Sequence, residues 1–192
     1  MSYKRIGDYI KLVDNRNINV SITNLLGINI TKNFMPSVAN TSESDLSKYK
    51  VIQRNQFANS AMQVGRDETI RLAFYSEDEP AIISPAYLVF EVIDKNIVLP
   101  EFLMLWFCRP EFNRYGWFIS DSTVRASLEW ERFKEIKIPI PDIKIQEAIV
   151  TIYHTLETRK RINEQLKNTI KPLCPVLMKG VVESMKTEAV EN

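Results

Sequence analysis

The sequence predicts an α+β chain: a mixed, mostly β domain followed by a long C-terminal coiled-coil helix. Three observations lead there. Short runs rich in β-branched and aromatic residues recur over residues 1–140. From Ile145 onward, apolar residues return every seventh position. Between these regions stands IPIPD (138–142), whose prolines close one and whose Asp142 can cap the next helix. The boundaries that follow are 1–141 for the domain, 142–180 for the helix and 181–192 for a frayed tail.

Strands are expected near Tyr9–Val13, Gly27–Thr31, Val51–Arg54, Thr69–Tyr75 and Tyr87–Val92. TIRLAFY alternates apolar and polar residues, SEDEP makes a turn, and AIISPAYLVFEV follows, which reads as a hairpin or meander. Residues 33–50 are polar and turn-rich and read as a long loop, a kind of segment that often carries function. Pro100 and Pro110 each suit the first position of a helix, the second helix ending near Gly116. Phe102, Trp106, Phe107, Phe112, Tyr115, Trp117 and Phe118 could stack on bases, but their helical spacing assigns them to the core. Residues 122–127 form an exposed loop, LEWERFKEI a short helix, and IKIPI a last strand at a sheet edge because of Pro139.

The repeat has two registers: Ile145, Ile152, Arg159, Leu166, Leu173, and Ile149, Leu156, Asn163, Ile170, Leu177. Together they alternate steps of four and three, the seam of a coiled coil. Arg159 and Asn163 interrupt it, and polar seam residues fix register and partner number at some cost in stability. A helix with such a seam needs a partner, and the dimer or partner face is Ile145, Ile149, Ile152, Leu156, Arg159, Asn163, Leu166 and Ile170. Pro172 and Pro175 should end or kink it.

Composition excludes several classes. The 192 residues are 45% hydrophobic and 26% charged, with net charge +1, so no global basic signature marks a polyanion partner. No apolar run has the length of a membrane span, and the N-terminus lacks a signal-peptide core. Cys108 and Cys174 lie far apart and His154 is the one histidine, so a zinc site is not expected; reduced cysteines fit a cytoplasmic protein. No glycine-rich phosphate loop or GxSxG occurs. His154 falls off the seam and reads as solvated. One pattern is nuclease-like: Asp121, then Glu135 and Lys137 entering a strand, could hold Mg²⁺ beside a phosphate.

Side chains suited to DNA concentrate in expected loops and strand ends. They are Lys32, Asn33, Arg54, Asn59, Ser60, Gln63, Arg66, Arg71, Thr123, Arg125 and Ser127. Arg reads guanine, Asn and Gln read adenine, and hydroxyls hold phosphates. A DNA-reading protein, a Mg²⁺-dependent nuclease and a non-catalytic coiled-coil scaffold all remain open on these residues.

The order of features resembles the specificity (S) subunit of Type I restriction-modification systems. The matching stretches are FANSAMQVGR (57–66), IISPAYLVFEV, LPEFLMLWFCRPEF (99–112), STVRASLEWERFKEIKIPIPDI (122–143) and a helix opening with Gln146 and Ile149. Ile145 departs from the family's usual Glu. The resemblance implies a target recognition domain that reads one half of a bipartite double-stranded DNA site. It implies a spacer helix that docks methyltransferase (M) subunits, with restriction (R) subunits joining through the complex. No catalysis is implied in this chain. By the same resemblance this chain is expected to bind no cofactor, with S-adenosylmethionine, ATP and Mg²⁺ expected on partner subunits. With one recognition domain and one helix, the chain looks like a half-length form. It would be completed by a second copy as a homodimer, or else it is a truncation or one half of a split pair.

Overall fold

The computed structural model describes residues 3–38, 44–62, 68–121 and 127–188, with side chains described through Val182. The chain divides into two compact units, residues 1–147 and 148–192.

Among the described residues of the first unit, ten strands form three sheets. One has four strands in the order β2 (Ile10–Val13), β9 (Leu88–Val92), β6 (Gln56–Ser60) and β7 (Arg71–Phe74), all antiparallel. A second runs β4 (Phe34–Pro36), β3 (Leu25–Ile28), β8 (Ala81–Ile83) and β5 (Lys50–Ile52), with β3 and β8 parallel. The third pairs β1 (Tyr3–Arg5) with β10 (Lys137–Pro139), so both strands are edges, and Pro139 is tolerated at the strand's end.

Alternation along the first sheet sets the layers. Phe57, Leu72, Phe90 and Val92 face a core completed by Leu103, Phe107, Phe112, Leu128 and Phe133 from the helical block. Ala58, Ala73 and Val89 face the second sheet and pack with Ile28, Ile52 and Ile83. Phe57 stacks on Phe90 at 4.9 Å and 7°, and Phe107 meets both edge-on.

The helical block is α1 (Pro100–Phe107), α2 (Pro110–Ile119) and α3 (Trp130–Lys134), with Pro at the start of the first two as expected. Gly116 does not end α2. A Cβ there would stand 2.2 Å from Ile70 Cδ1, so the glycine permits close packing inside the helix.

Several expectations are corrected. β7 and β8 do not form a hairpin: β7 pairs with β6, and β8 joins the other sheet. The SEDEP turn carries the chain between layers, held by Tyr75 Oη donating to Glu79 O at 2.5 Å. β6 was not expected as a strand and is fully buried. The 33–50 loop holds β4 and a 3-10 turn at Leu46–Lys48. Among the seven aromatics, Phe102, Phe107 and Phe112 are buried, whereas Tyr115, Trp117 and Phe118 are 47%, 51% and 83% exposed.

Helix α4 spans Ile143–Ile170, about 42 Å at 1.5 Å per residue. Its opening is fixed by Gln146, which is fully buried. The amide accepts from Leu99 N (2.9 Å) and donates to Ile97 O and Pro141 O (both 2.8 Å). A two-residue turn at Lys171–Pro172 ends α4, because Pro172 cannot donate into the ladder. Helix α5 then runs from Leu173 to Glu188. Pro175 falls in its first turn, where no backbone donor is needed, so the helix continues past residue 180, where a frayed tail was expected. Ile152, Leu156, Leu166 and Ile170 of the seam are each at least half exposed. Ion pairs Lys160–Glu157 (2.6 Å) and Lys167–Glu164 (2.9 Å) decorate α4 elsewhere.

Candidate nucleic-acid interface

Three of the segments singled out by sequence converge. Leu128 N donates to Ala61 O at 2.9 Å, which ties the connection after β6 to the segment after α2. A two-rung clip closes the latter: Asp121 N donates to Ser127 O (2.9 Å), and Ser127 N donates to Asp121 Oδ1 (2.8 Å). Arg132 Nη1 donates to Ile119 O at 2.9 Å, satisfying a carbonyl at the end of α2. The third segment is the tip of the β3–β4 hairpin. Asn29 folds it as an Asx turn, its Oδ1 accepting from Asn33 N (2.9 Å) and from Thr31 Oγ1 (2.8 Å).

Lys32 joins that tip to the rest. Its φ of 62° turns the side chain inward, where Nζ donates to Phe107 O (2.6 Å) and to Asn113 Oδ1 (2.7 Å). Asn113 Oδ1 also accepts from Ile70 N at 3.3 Å, so one amide bridges the hairpin tip and the start of β7. Nζ stands 5.4 Å from the Phe112 ring centroid. Burial pulls the ammonium down to about 8, with the nearby Cys108 opposing the shift, and burial pushes the Cys108 thiol up.

The expected contact residues therefore separate. Lys32, Asn59 and Ser60 are buried, at 6%, 0% and 6% exposure, and cannot reach a groove; this corrects their assignment. Asn59 lies in the middle of a sheet facing the helical block, and neither Oδ1 nor Nδ2 has a hydrogen-bond partner among the described residues. Arg71 is half-buried opposite Ser60 on β7. Asn33 is exposed, and Ser127 is half-buried at the clip. Arg54, before the start of β6, is exposed but ion-paired to Asp78, while Ala61 follows the strand's end, and the five-residue strand between them spans about 16 Å. Gln63, Arg66, Thr123 and Arg125 lie outside the described residues. Asn113, the linking residue, was missed: a single polar residue on an amphipathic helix carries no signal that it faces inward.

Two of the three nuclease-like residues are already engaged, while Lys137 is exposed without an ion-pair partner among the described residues. Asp121 holds the clip and Glu135 pairs with Arg5 at 3.3 Å. Among the described residues no group of three His, Cys, Asp or Glu is placed to hold a metal ion. Nor is any helix there long and apolar enough to cross a membrane.

Comparison with known proteins places the fold. A curated relative, the Type I restriction enzyme HindI specificity subunit of Haemophilus influenzae (strain ATCC 51907 / DSM 11121 / KW20 / Rd), is 25% identical over 146 residues, 74% of this chain and 31% of the relative. The chain thus spans about a third of the length of that protein. The crystal structure of the HsdS subunit from Thermoanaerobacter tengcongensis matches with a TM-score of 0.61 at 18% identity, covering 92% of this chain and 47% of that one. The Type-I restriction-modification S subunit from M. genitalium matches at 0.51 with 16% identity, covering 82% and 39%. A chain from a study of complex assembly and conformational transition of the type I R-M system matches at 0.52 with 13% identity, covering 90% and 43%. At these identities the likeness is one of fold: a mixed-sheet domain with a long C-terminal helix. The family described as Type I restriction modification DNA specificity domain matches residues 4–172, and the chain belongs to it.

Proposed function

We propose that this chain is the DNA-reading component of a Type I restriction-modification complex. It reads one half of a bipartite double-stranded site through residues 1–141, docks methyltransferase subunits, and associates with restriction subunits through the complex. S-adenosylmethionine, ATP and Mg²⁺ are handled by those partners, and this chain contributes recognition. The observation that supports the reading is the convergence of the 29–33 tip, of Ala61 and Ile70, and of the Asp121–Ser127 clip, through Lys32, Asn113 and Leu128. A rigid scaffold that gathers several loops is what groove reading requires.

The second part of the proposal is a homodimer through α4. With two copies antiparallel, Ile145 meets Ile170, Ile149 meets Leu166, Ile152 meets Asn163 and Leu156 meets Arg159. Parallel pairing in register would instead set Arg159 against Arg159, two like charges on a buried seam. A two-fold pair reads a palindromic bipartite site.

The test is methylation in cells that express the chain with its methyltransferase. Arg66→Ala should abolish site-specific methylation while assembly persists, because one base-reading side chain carries about 1–3 kcal/mol of discrimination. Arg54→Ala, at the other end of β6, should leave methylation intact. Equal loss from both substitutions would contradict this placement of the reading face.

A further inference from the structure

The outward face of α2 carries side chains to which the proposed DNA reading assigns no role. Glu111, Arg114, Tyr115 and Phe118 follow one another at helical spacing, opposite the buried Phe112 and Gly116. Trp117 flanks them. Phe118 is 83% exposed, an unusual position for a phenylalanine in a folded domain. Beside this convex face lies a cleft of about 220 Å³, walled by Trp106, Tyr115, Tyr3 and Phe112. Glu111 and Tyr115 belong to both features, so knob and cleft are continuous.

The charges say what covers this surface. Arg109 lies over the Trp106 ring at 4.4 Å and pairs with Glu111 at 3.3 Å; Arg114 reaches the same carboxylate at 3.9 Å. The single Glu111 carboxylate offsets only one of the two arginines, so the face keeps a positive charge that calls for an acidic side chain in whatever covers it. Lys137 adds a second uncompensated cation: it lines the cleft, is exposed, and has no ion-pair partner among the described residues. Exposed Trp, Tyr and Phe around a self-paired arginine match the core of a protein interface.

We infer that this face docks a partner protein, which places an apolar side chain in the Trp106–Tyr115 cleft and a carboxylate beside Lys137. The inference rests on the proposed assembly with methyltransferase subunits, and that subunit is the partner assigned to it.

The experiment measures binding of the purified methyltransferase subunit to the full-length chain, with DNA binding and light scattering alongside. Tyr115→Ser combined with Phe118→Ser, both at exposed positions, should weaken methyltransferase binding at least ~30-fold. Lys137→Glu should weaken it by about 5-fold at low salt, with the difference shrinking at high salt. Neither variant should change the mass of the chain alone or its melting temperature. Unchanged methyltransferase binding in both variants overturns the inference while leaving the proposed function standing. Loss of DNA binding or of self-association in their place also overturns it, since the face would then belong to DNA or to a second copy. A wild-type chain that never binds methyltransferase sinks the proposed function, and this inference with it.

Discussion

Replacing Lys32 with Met should change how stability depends on pH. The ammonium is buried with two neutral acceptors, Phe107 O and Asn113 Oδ1, and burial sets its folded pKa at about 8 against 10.5 for a free lysine. A difference of that size corresponds to about 3 kcal/mol. Because the folded value is the lower one, the unfolded chain holds the proton more tightly. The penalty is complete below pH 8 and is relieved as pH rises toward 10.5. Wild type should therefore gain about 1.3 kcal/mol between pH 7 and pH 9 relative to Lys32→Met. Neutral lysine keeps two N–H donors, so both bonds survive deprotonation. Denaturant unfolding of both proteins across that range gives the difference directly, and other titrating groups cancel. A flat difference curve would refute a buried ammonium held by neutral acceptors alone, and with it the account of how the hairpin tip is held.

Gln146→Leu should lower stability by about 2–4 kcal/mol, because it leaves Leu99 N and two carbonyls without their partner; a fall in melting temperature reads this, and an unchanged one contradicts the clip. Asn59→Leu should do the opposite, raising stability by about 1–3 kcal/mol by replacing a buried amide that has no partner among the described residues; calorimetry showing a loss would mean the amide is satisfied in solution. Leu156→Asp with Leu166→Asp should convert a dimer to monomers in light scattering without unfolding residues 1–147, since both side chains are about half exposed. A wild type already monomeric at high concentration would remove the homodimer.

The sequence was most legible where a period was long and uninterrupted. The seven-residue step from Ile145 to Ile170 is a helix in the structure, and the proline at 172 breaks it where the missing donor demands. Strands built on Ile, Val and Phe, such as β2 and β9, could be read from composition. β6 could not, because Ala58, Asn59 and Ser60 have no strand signature and become strand only through neighbours on both sides. Pairing was also hidden: alternation in TIRLAFY marks a strand but not its partner. For the candidate site, polar residues read as surface, and that default failed at Lys32, Asn59 and Ser60. Which flank of α2's aromatics faces the core is set by Gly116 against Ile70, a contact between segments far apart in sequence.

The central claim is that the gathered loops of this domain choose a DNA sequence and that two copies do so across a two-fold axis. Sequencing the methylated bases of a host that expresses this chain with its methyltransferase tests both parts at once. A bipartite palindrome with identical half-sites is the expected result, and Arg66→Ala should erase it. Methylation with no sequence preference would contradict the claim of recognition, and two unlike half-sites would contradict the claim that the chain pairs with itself.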